Sequence, residues 1–129
     1  MSYNEKKNTL RGMHFQLEPF EECKIVSCIK GSIFDVIIDL RRKSKTYLEW
    51  TSFILTEENQ DMLYIPKGFA HGFQTLEDDT KVYYQMTQFY HSDYAGGVRW
   101  DDKIFNIEWP TCGNRIMSLK DKHWSDYKT

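Results

Sequence analysis

Leu10-Arg11-Gly12-Met13-His14-Phe15-Gln16 reads as a short strand that carries a histidine and a glutamine where an ordinary strand places core or surface residues. Side chains alternate between the faces of a strand, so His14 and Gln16 share one face while Met13, Phe15 and Leu17 share the other. The apolar set suits a core between sheets. The polar set, beside a glycine that lets another group approach closely, is aimed at a cavity. A lone histidine is more often a hydrogen-bonded structural residue than a reactive one, so its reading depends on what the rest of the chain supplies. Strict alternation also points Arg11 away from His14. It reaches the same cavity only if Gly12 bends or bulges the strand.

Outward from this strand, residues 18–22 around Pro19 read as a turn, and Lys24 to Lys30 as a second strand. That strand stops at Gly31-Ser32, a hairpin signal because glycine supplies the positive φ such turns need. In the next run Phe34, Val36, Ile38 and Leu40 fall on one face, with Asp35 and Asp39 on the other. A charged loop at 41–45 precedes a strand expected over 46–55. Met62 to Ile65 is a short strand ended by Pro66, and residues 66–73 are a glycine-punctuated connection carrying His71. The longest alternating run, 80–90, places Val82, Tyr84, Met86, Gln88 and Tyr90 on one face. A loop at 93–97 and a last strand over 104–109 follow. Ser118-Leu119-Lys120-Asp121 has capping-box spacing and predicts a short C-terminal helix. Roughly eight to ten short strands between turn residues predict an all-β sandwich or barrel. We read one domain over residues 1–129, with 1–9 as a flexible or edge segment.

Composition narrows the function classes. Of 129 residues, 16% are aromatic, which favours strands and also suits sugar or base pockets. The formal net charge is −2, and the basic runs Lys6-Lys7 and Arg41-Arg42-Lys43 are short enough to be solvated turns, so no nucleic-acid footprint is expected. Cys23, Cys28 and Cys112 are odd in number and lack zinc-like spacing, which predicts free thiols in a reducing compartment. The polar first residues have no signal-peptide core and no stretch reaches membrane-spanning length. The expectation is a cytoplasmic protein without membrane contact.

Several chemistries lack their residues. No glycine-rich phosphate loop leads into a helix, no serine sits in a nucleophile elbow, and no cysteine has an activating neighbourhood. A metal on a small β-barrel usually needs clustered histidines with a carboxylate. Here the residue two after His14 is Gln16, and His14, His71, His91 and His123 are scattered, so no metal is assigned. Proton-transfer chemistry with His, Lys, Tyr and Asp remains.

Five ordered motifs between Leu10 and Asp121 then resemble one family, the dTDP-4-dehydrorhamnose 3,5-epimerases. They are Arg11-Gly12-Met13-His14-Phe15-Gln16; Lys24-Ile25-Val26 leading to Gly31-x-Ile33-Phe34-Asp35-Val36; Tyr64-Ile65-Pro66-x-Gly68-Phe69-Ala70-His71-Gly72-Phe73; Arg99-Trp100 with Asp102; and Met117-Ser118-x-Lys120-Asp121. The resemblance implies a cupin-like jelly-roll, a homodimer, no cofactor, and a dTDP-linked or other nucleoside-diphosphate 4-keto-6-deoxy sugar as substrate. By position it makes His14 the base, Asp121 its carboxylate partner, Lys24 the enolate stabiliser and Tyr84 the acid on the opposite ring face. Arg11, Gln16, His71 and Tyr90 would line the substrate site. Family members usually begin with additional strands that exchange across the dimer and contribute an arginine and an aromatic. This chain starts almost directly at the histidine strand, so we read a short variant without that arm.

Each residue also has a plain reading. Lys24 could be a solvated strand-start lysine, Tyr84 a packed aromatic, Asp121 a helix cap and His71 structural. Two other functions use the same pocket: a sugar-nucleotide ketoisomerase, which moves the carbonyl through the same enolate, and a non-catalytic sugar-binding cupin.

Overall fold

The chain forms nine strands, most of them rich in β-branched and aromatic residues: β1 (Ser2–Asn4), β2 (Leu10–Gln16), β3 (Lys24–Lys30), β4 (Ser32–Asp39), β5 (Trp50–Thr56), β6 (Met62–Ile65), β7 (Phe69–Thr75), β8 (Thr80–Met86) and β9 (Ala95–Gly97). One short helix, α1 (Leu119–Lys122), follows. The computed structural model describes residues 1–129. Its strands form two antiparallel sheets, one ordered β1-β8-β3-β6 and the other β5-β4-β7-β2-β9. This is the all-β, cupin-like sandwich expected, with Ser2–Asn4 as an edge strand on β8.

Two apolar layers hold it. Val26, Cys28, Ile33, Leu55, Ile65, Phe73 and Val82 fill the space between the sheets. On the outer face of the five-stranded sheet, Leu10, Met13, Val36, Ile38 and Ala70 are covered by Val98, Phe105 and Trp109 of the C-terminal segment. β4 is therefore apolar on both faces, because each face meets a core. No helix is long and apolar enough to cross a membrane.

The structure corrects several local expectations. Gly31 does adopt a positive φ of 79°, but β3 and β4 lie in different sheets, so the turn carries the chain across the sandwich instead of closing a hairpin. Residues 66–73 are not merely a connection: β7 starts at Phe69 and runs centrally between β4 and β2. The 80–90 run leaves the sheet after Met86. Residues 95–97, read as loop, pair with β2. The segment 104–109 forms no strand; it lays Phe105 and Trp109 onto the sheet, with the Ile104 amide donating to Asp102. Leu17 lies beyond the end of β2 and is exposed.

The strand expected from 46 begins only at Trp50 because buried Asp39 captures the preceding loop. Its carboxylate accepts from the Arg41 amide at 2.9 Å, Arg41 Nε and Nη2 at 3.0 Å each, Ser44 Oγ at 2.6 Å and Thr46 Oγ1 at 2.5 Å. Burial pushes this carboxyl up, but the donors from Arg41, Ser44 and Thr46 outweigh it and hold the group well below the usual carboxylate range. A lowered carboxyl stabilises the fold at neutral pH, and that contribution fades as pH falls below the ordinary carboxylate range. Asp39→Ala should cost about 3 kcal/mol, read as a lower midpoint in chemical denaturation at pH 7 and a smaller deficit in acid.

Candidate active site

The site is built around a bulge in β2. Arg11 pairs with Phe73 and His14 with His71, so β2 advances three residues while β7 advances two. One extra residue reverses the alternation, and Arg11 and His14 come to line the same cavity. Glycines make this possible. Gly12 has a φ of 133°, and a Cβ there would lie 2.6 Å from Gly72 Cα, closer than side chains tolerate. The condition for Arg11 to reach the site is thus met by the backbone itself.

The cavity, about 590 Å³, opens between the sheets. His14 on β2 and His71 on β7 belong to the five-stranded sheet; Lys24 on β3 and Tyr84 on β8 belong to the four-stranded one. The two groups therefore stand on opposite walls. Tyr90 also lines the cavity, from an exposed position beyond β8.

Asp121 is brought to His14 by the C-terminal helix. Ser118 caps that helix, its Oγ accepting from the Asp121 amide at 3.1 Å; this is one half of a capping box, since the Asp121 carboxylate turns to β2 instead of back to the Ser118 amide. The preceding segment is tied to the start of β2 by backbone bonds between Ile116 and Asn8 and Leu10. Asp121 Oδ1 lies 2.7 Å from His14 Nε2 and 3.1 Å from Trp124 Nε1, and Oδ2 accepts from the Gly12 amide at 3.1 Å. Burial raises the Asp121 carboxyl, yet the His14, Gly12 and Trp124 donors outweigh it and leave it lowered. An ionised carboxylate only accepts, so Nε2 of His14 carries the proton. Nδ1 keeps its lone pair and is the ring nitrogen able to take a proton. The cap is therefore Ser118, and the Asp121 side chain is left to serve His14.

The other residues divide by environment. Lys24 is not a solvated lysine: its side chain is only 12% exposed, and Nζ sits 3.1 Å from Glu22 Oε1. His71 Nε2 lies 2.7 Å from Asp35 Oδ1, a second histidine–carboxylate pair; Asp35 is fully buried and its Oδ2 has no partner. Arg11 Nε donates to Asn4 Oδ1 at 2.7 Å, which anchors the guanidinium against β1. Gln16 borders the cavity but is a clamp. Its amide nitrogen donates to the carbonyls of Phe20 and Phe89, and its oxygen accepts from the His91 amide, joining two loops. No group of three or more His, Cys, Asp or Glu side chains is arranged to hold a metal ion.

Sequence reading missed Glu22, Trp124 and the function of Asp35. A charged residue inside the apolar run 33–38 was a signal for Asp35, and its diagonal neighbour in the sheet is His71. Trp124 lies three residues after Asp121, a spacing that brings side chains together over one helical turn. Nothing local marked Glu22.

Chemically, the cavity offers a base with a free imidazole nitrogen, a fixed ammonium and a phenol on the facing wall. A ketone between them would have an adjacent C–H within the reach of general-base and oxyanion chemistry. The chain matches the family model described as dTDP-4-dehydrorhamnose 3,5-epimerase over residues 1–129. It is 44% identical to a curated protein of that name from Sinorhizobium fredii, over 93% of this chain and 62% of the relative. A crystal structure of the Bacillus anthracis enzyme with TDP and pyrophosphate bound superposes with a TM-score of 0.95 at 41% identity, covering 98% of this chain and 71% of that one. The Legionella pneumophila enzyme in complex with dTDP-4-keto-L-rhamnose gives 0.88 at 37% identity, covering 93% and 63%. The chain spans less than two thirds of the length of the curated relatives it matches. With its whole length matched and its fold shared, the chain belongs to the dTDP-4-dehydrorhamnose 3,5-epimerase family.

Proposed function

We propose that this chain catalyses cofactor-independent epimerisation of a nucleoside-diphosphate 4-keto-6-deoxy sugar, with dTDP as the favoured nucleotide. The observation that carries this reading is the 2.7 Å pairing of His14 with buried Asp121 at a cavity whose facing wall holds Lys24 and Tyr84. His14 Nδ1 removes the proton from a carbon beside the ketone. The electron pair moves onto the carbonyl oxygen, and the Lys24 ammonium stabilises the enolate. Tyr84 returns a proton to the other face of that carbon and is itself reprotonated from solvent, as His14 gives up its proton to solvent. Arg11, His71 and Tyr90 contact the substrate, and Gln16 acts chiefly by holding the cavity rim. The nucleotide assignment draws on the Bacillus and Legionella relatives, which bind TDP and a dTDP-linked keto sugar respectively.

The test is incubation with dTDP-4-keto-6-deoxyglucose in heavy water, followed by NMR of the recovered sugar. Deuterium at the flanking carbons with inverted configuration and the ketone still at C4 is expected. A displaced carbonyl would establish a ketoisomerase, and saturable binding without exchange a sugar-binding protein; either outcome defeats the epimerase reading.

We further propose a homodimer formed through the outer face of the four-stranded sheet. Ile25, Met62, Tyr64 and Tyr83 share this face by register and are all exposed. Contiguous apolar surface of this kind marks an interface. Sedimentation equilibrium at micromolar concentration should give a dimer, and Tyr64→Lys should shift it toward monomer. A native monomer refutes the interface.

A further inference from the structure

We propose that Trp124 is a positioning residue for His14, acting through the carboxylate oxygen that the indole N–H and the imidazole share. The proposal rests on His14 being the base. Asp121 Oδ1 receives both the imidazole Nε2 at 2.7 Å and the indole Nε1 at 3.1 Å, while Oδ2 is occupied by the Gly12 amide. Two donors on Oδ1 and one on Oδ2 leave the carboxylate little freedom to rotate. The indole also stands edge-on to the imidazole, with centroids 6.4 Å apart and planes at 69°, so it walls the ring it helps to orient.

The placement of Trp124 is itself fixed. Its six-membered ring lies over Gly97 of β9, in space that any side chain there would occupy. Its carbonyl accepts from Arg99 Nη1 at 3.2 Å, and Arg99 is in turn held by Asp101 and Asp126, each at 2.6 Å. The Lys120 ammonium sits 5.5 Å from the ring centroid. The indole is therefore fastened by its backbone, its ring face and its N–H.

Charged and titratable groups face His14 from every side of the cavity: Asp121 and Lys120 from the helix, Arg11 from its own strand, Lys24 from β3 and Glu22 from the loop before it, His71 backed by Asp35, Tyr84 from β8, and Tyr3 and Tyr90 at the rim. Trp124 is the neutral donor among the side chains on this carboxylate. Removing its N–H changes the dyad without removing a charge. The carboxylate then keeps more negative charge for the imidazolium, and protonated His14 persists to higher pH.

Trp124→Phe keeps an aromatic ring over Gly97 and deletes the donor. The expected result is a kcat lowered about tenfold with KM within about twofold, and an acid limb of the rate profile moved up by about half a pH unit. The NMR titration of the His14 ring protons, assigned with a His14→Gln control, should move in the same direction by the same amount. That titration needs no substrate, so it tests Trp124 even if the keto-sugar reading fails. Lower activity with an unmoved titration would make Trp124 mere packing and overturn the proposal, as would unchanged kcat. Circular dichroism and thermal melting of Trp124→Phe should match the native protein; a Trp124→His variant, which retains a ring N–H, should recover part of the lost kcat.

Discussion

His14→Ala is expected to slow deuterium incorporation from heavy water into the 4-keto sugar by about 10⁴-fold, the upper end of what a positioned general base supplies. That fold-change corresponds to about 5.4 kcal/mol of transition-state stabilisation. The size follows from the geometry. Asp121 is locked by three donors and serves one nitrogen of one ring, so no other group inherits its role when the imidazole is removed. His71 does not stand in for it: its ring, on β7 and paired with Asp35, is only 10% exposed and is held back from the open space that the 46% exposed His14 ring occupies. The protein itself should survive the change. The His14 side chain is 46% exposed, and without it Asp121 still accepts from Gly12 and Trp124. A native melting temperature with exchange lost is the predicted pair of results; undiminished exchange would remove His14 from the mechanism.

Tyr84→Phe should separate two events that the proposed mechanism couples. In the proposed mechanism proton removal uses His14 and Lys24, so exchange with retained configuration should continue, slowed by less than about tenfold. Inversion needs a donor on the opposite face and should fall by about 10³-fold, within the range for loss of a general acid. The facing walls motivate this division: His14 belongs to one sheet and Tyr84 to the other. Tyr84 pairs with Val26 on the neighbouring strand and packs at the edge of the inner core, so removing one hydroxyl leaves its packing intact. Following the configuration and isotope content of the same recovered sugar gives both rates at once. Equal loss of exchange and inversion would place Tyr84 on the His14 side of the reaction.

Both predictions require residues far apart in the chain to share one space, and they differ in how visible that was. The alternation of Val82, Tyr84 and Met86 and the spacing of Ser118 and Asp121 are local patterns, governed by the strand repeat and the helix turn. They could be read directly, and so could the all-β class, because short apolar runs between turn residues have few other ways to bury themselves. Gly31 shows the limit. A glycine turn announces a reversal of direction, but whether the chain pairs with itself or crosses to another sheet depends on partners dozens of residues away. Asp39 shows another: its hold on Arg41, Ser44 and Thr46 outcompetes the strand propensity of the residues that follow.

The strand Leu10–Gln16 contains both kinds of information. Its residue types and order by themselves determined that a histidine, an arginine and a glutamine lie on a strand beside an apolar core, and together with the four later motifs they pointed to the family. Tertiary structure alone decided which partners those side chains meet. Pairing with β7 inserts the extra residue that turns Arg11 to the His14 side; the C-terminal helix brings Asp121 and Trp124 to one ring nitrogen; and two loops claim all but one hydrogen-bonding position of Gln16. The physical reason is range. Alternation and capping act over a few residues, whereas a bulge register and a shared carboxylate are set by contacts between segments more than fifty residues apart in the chain.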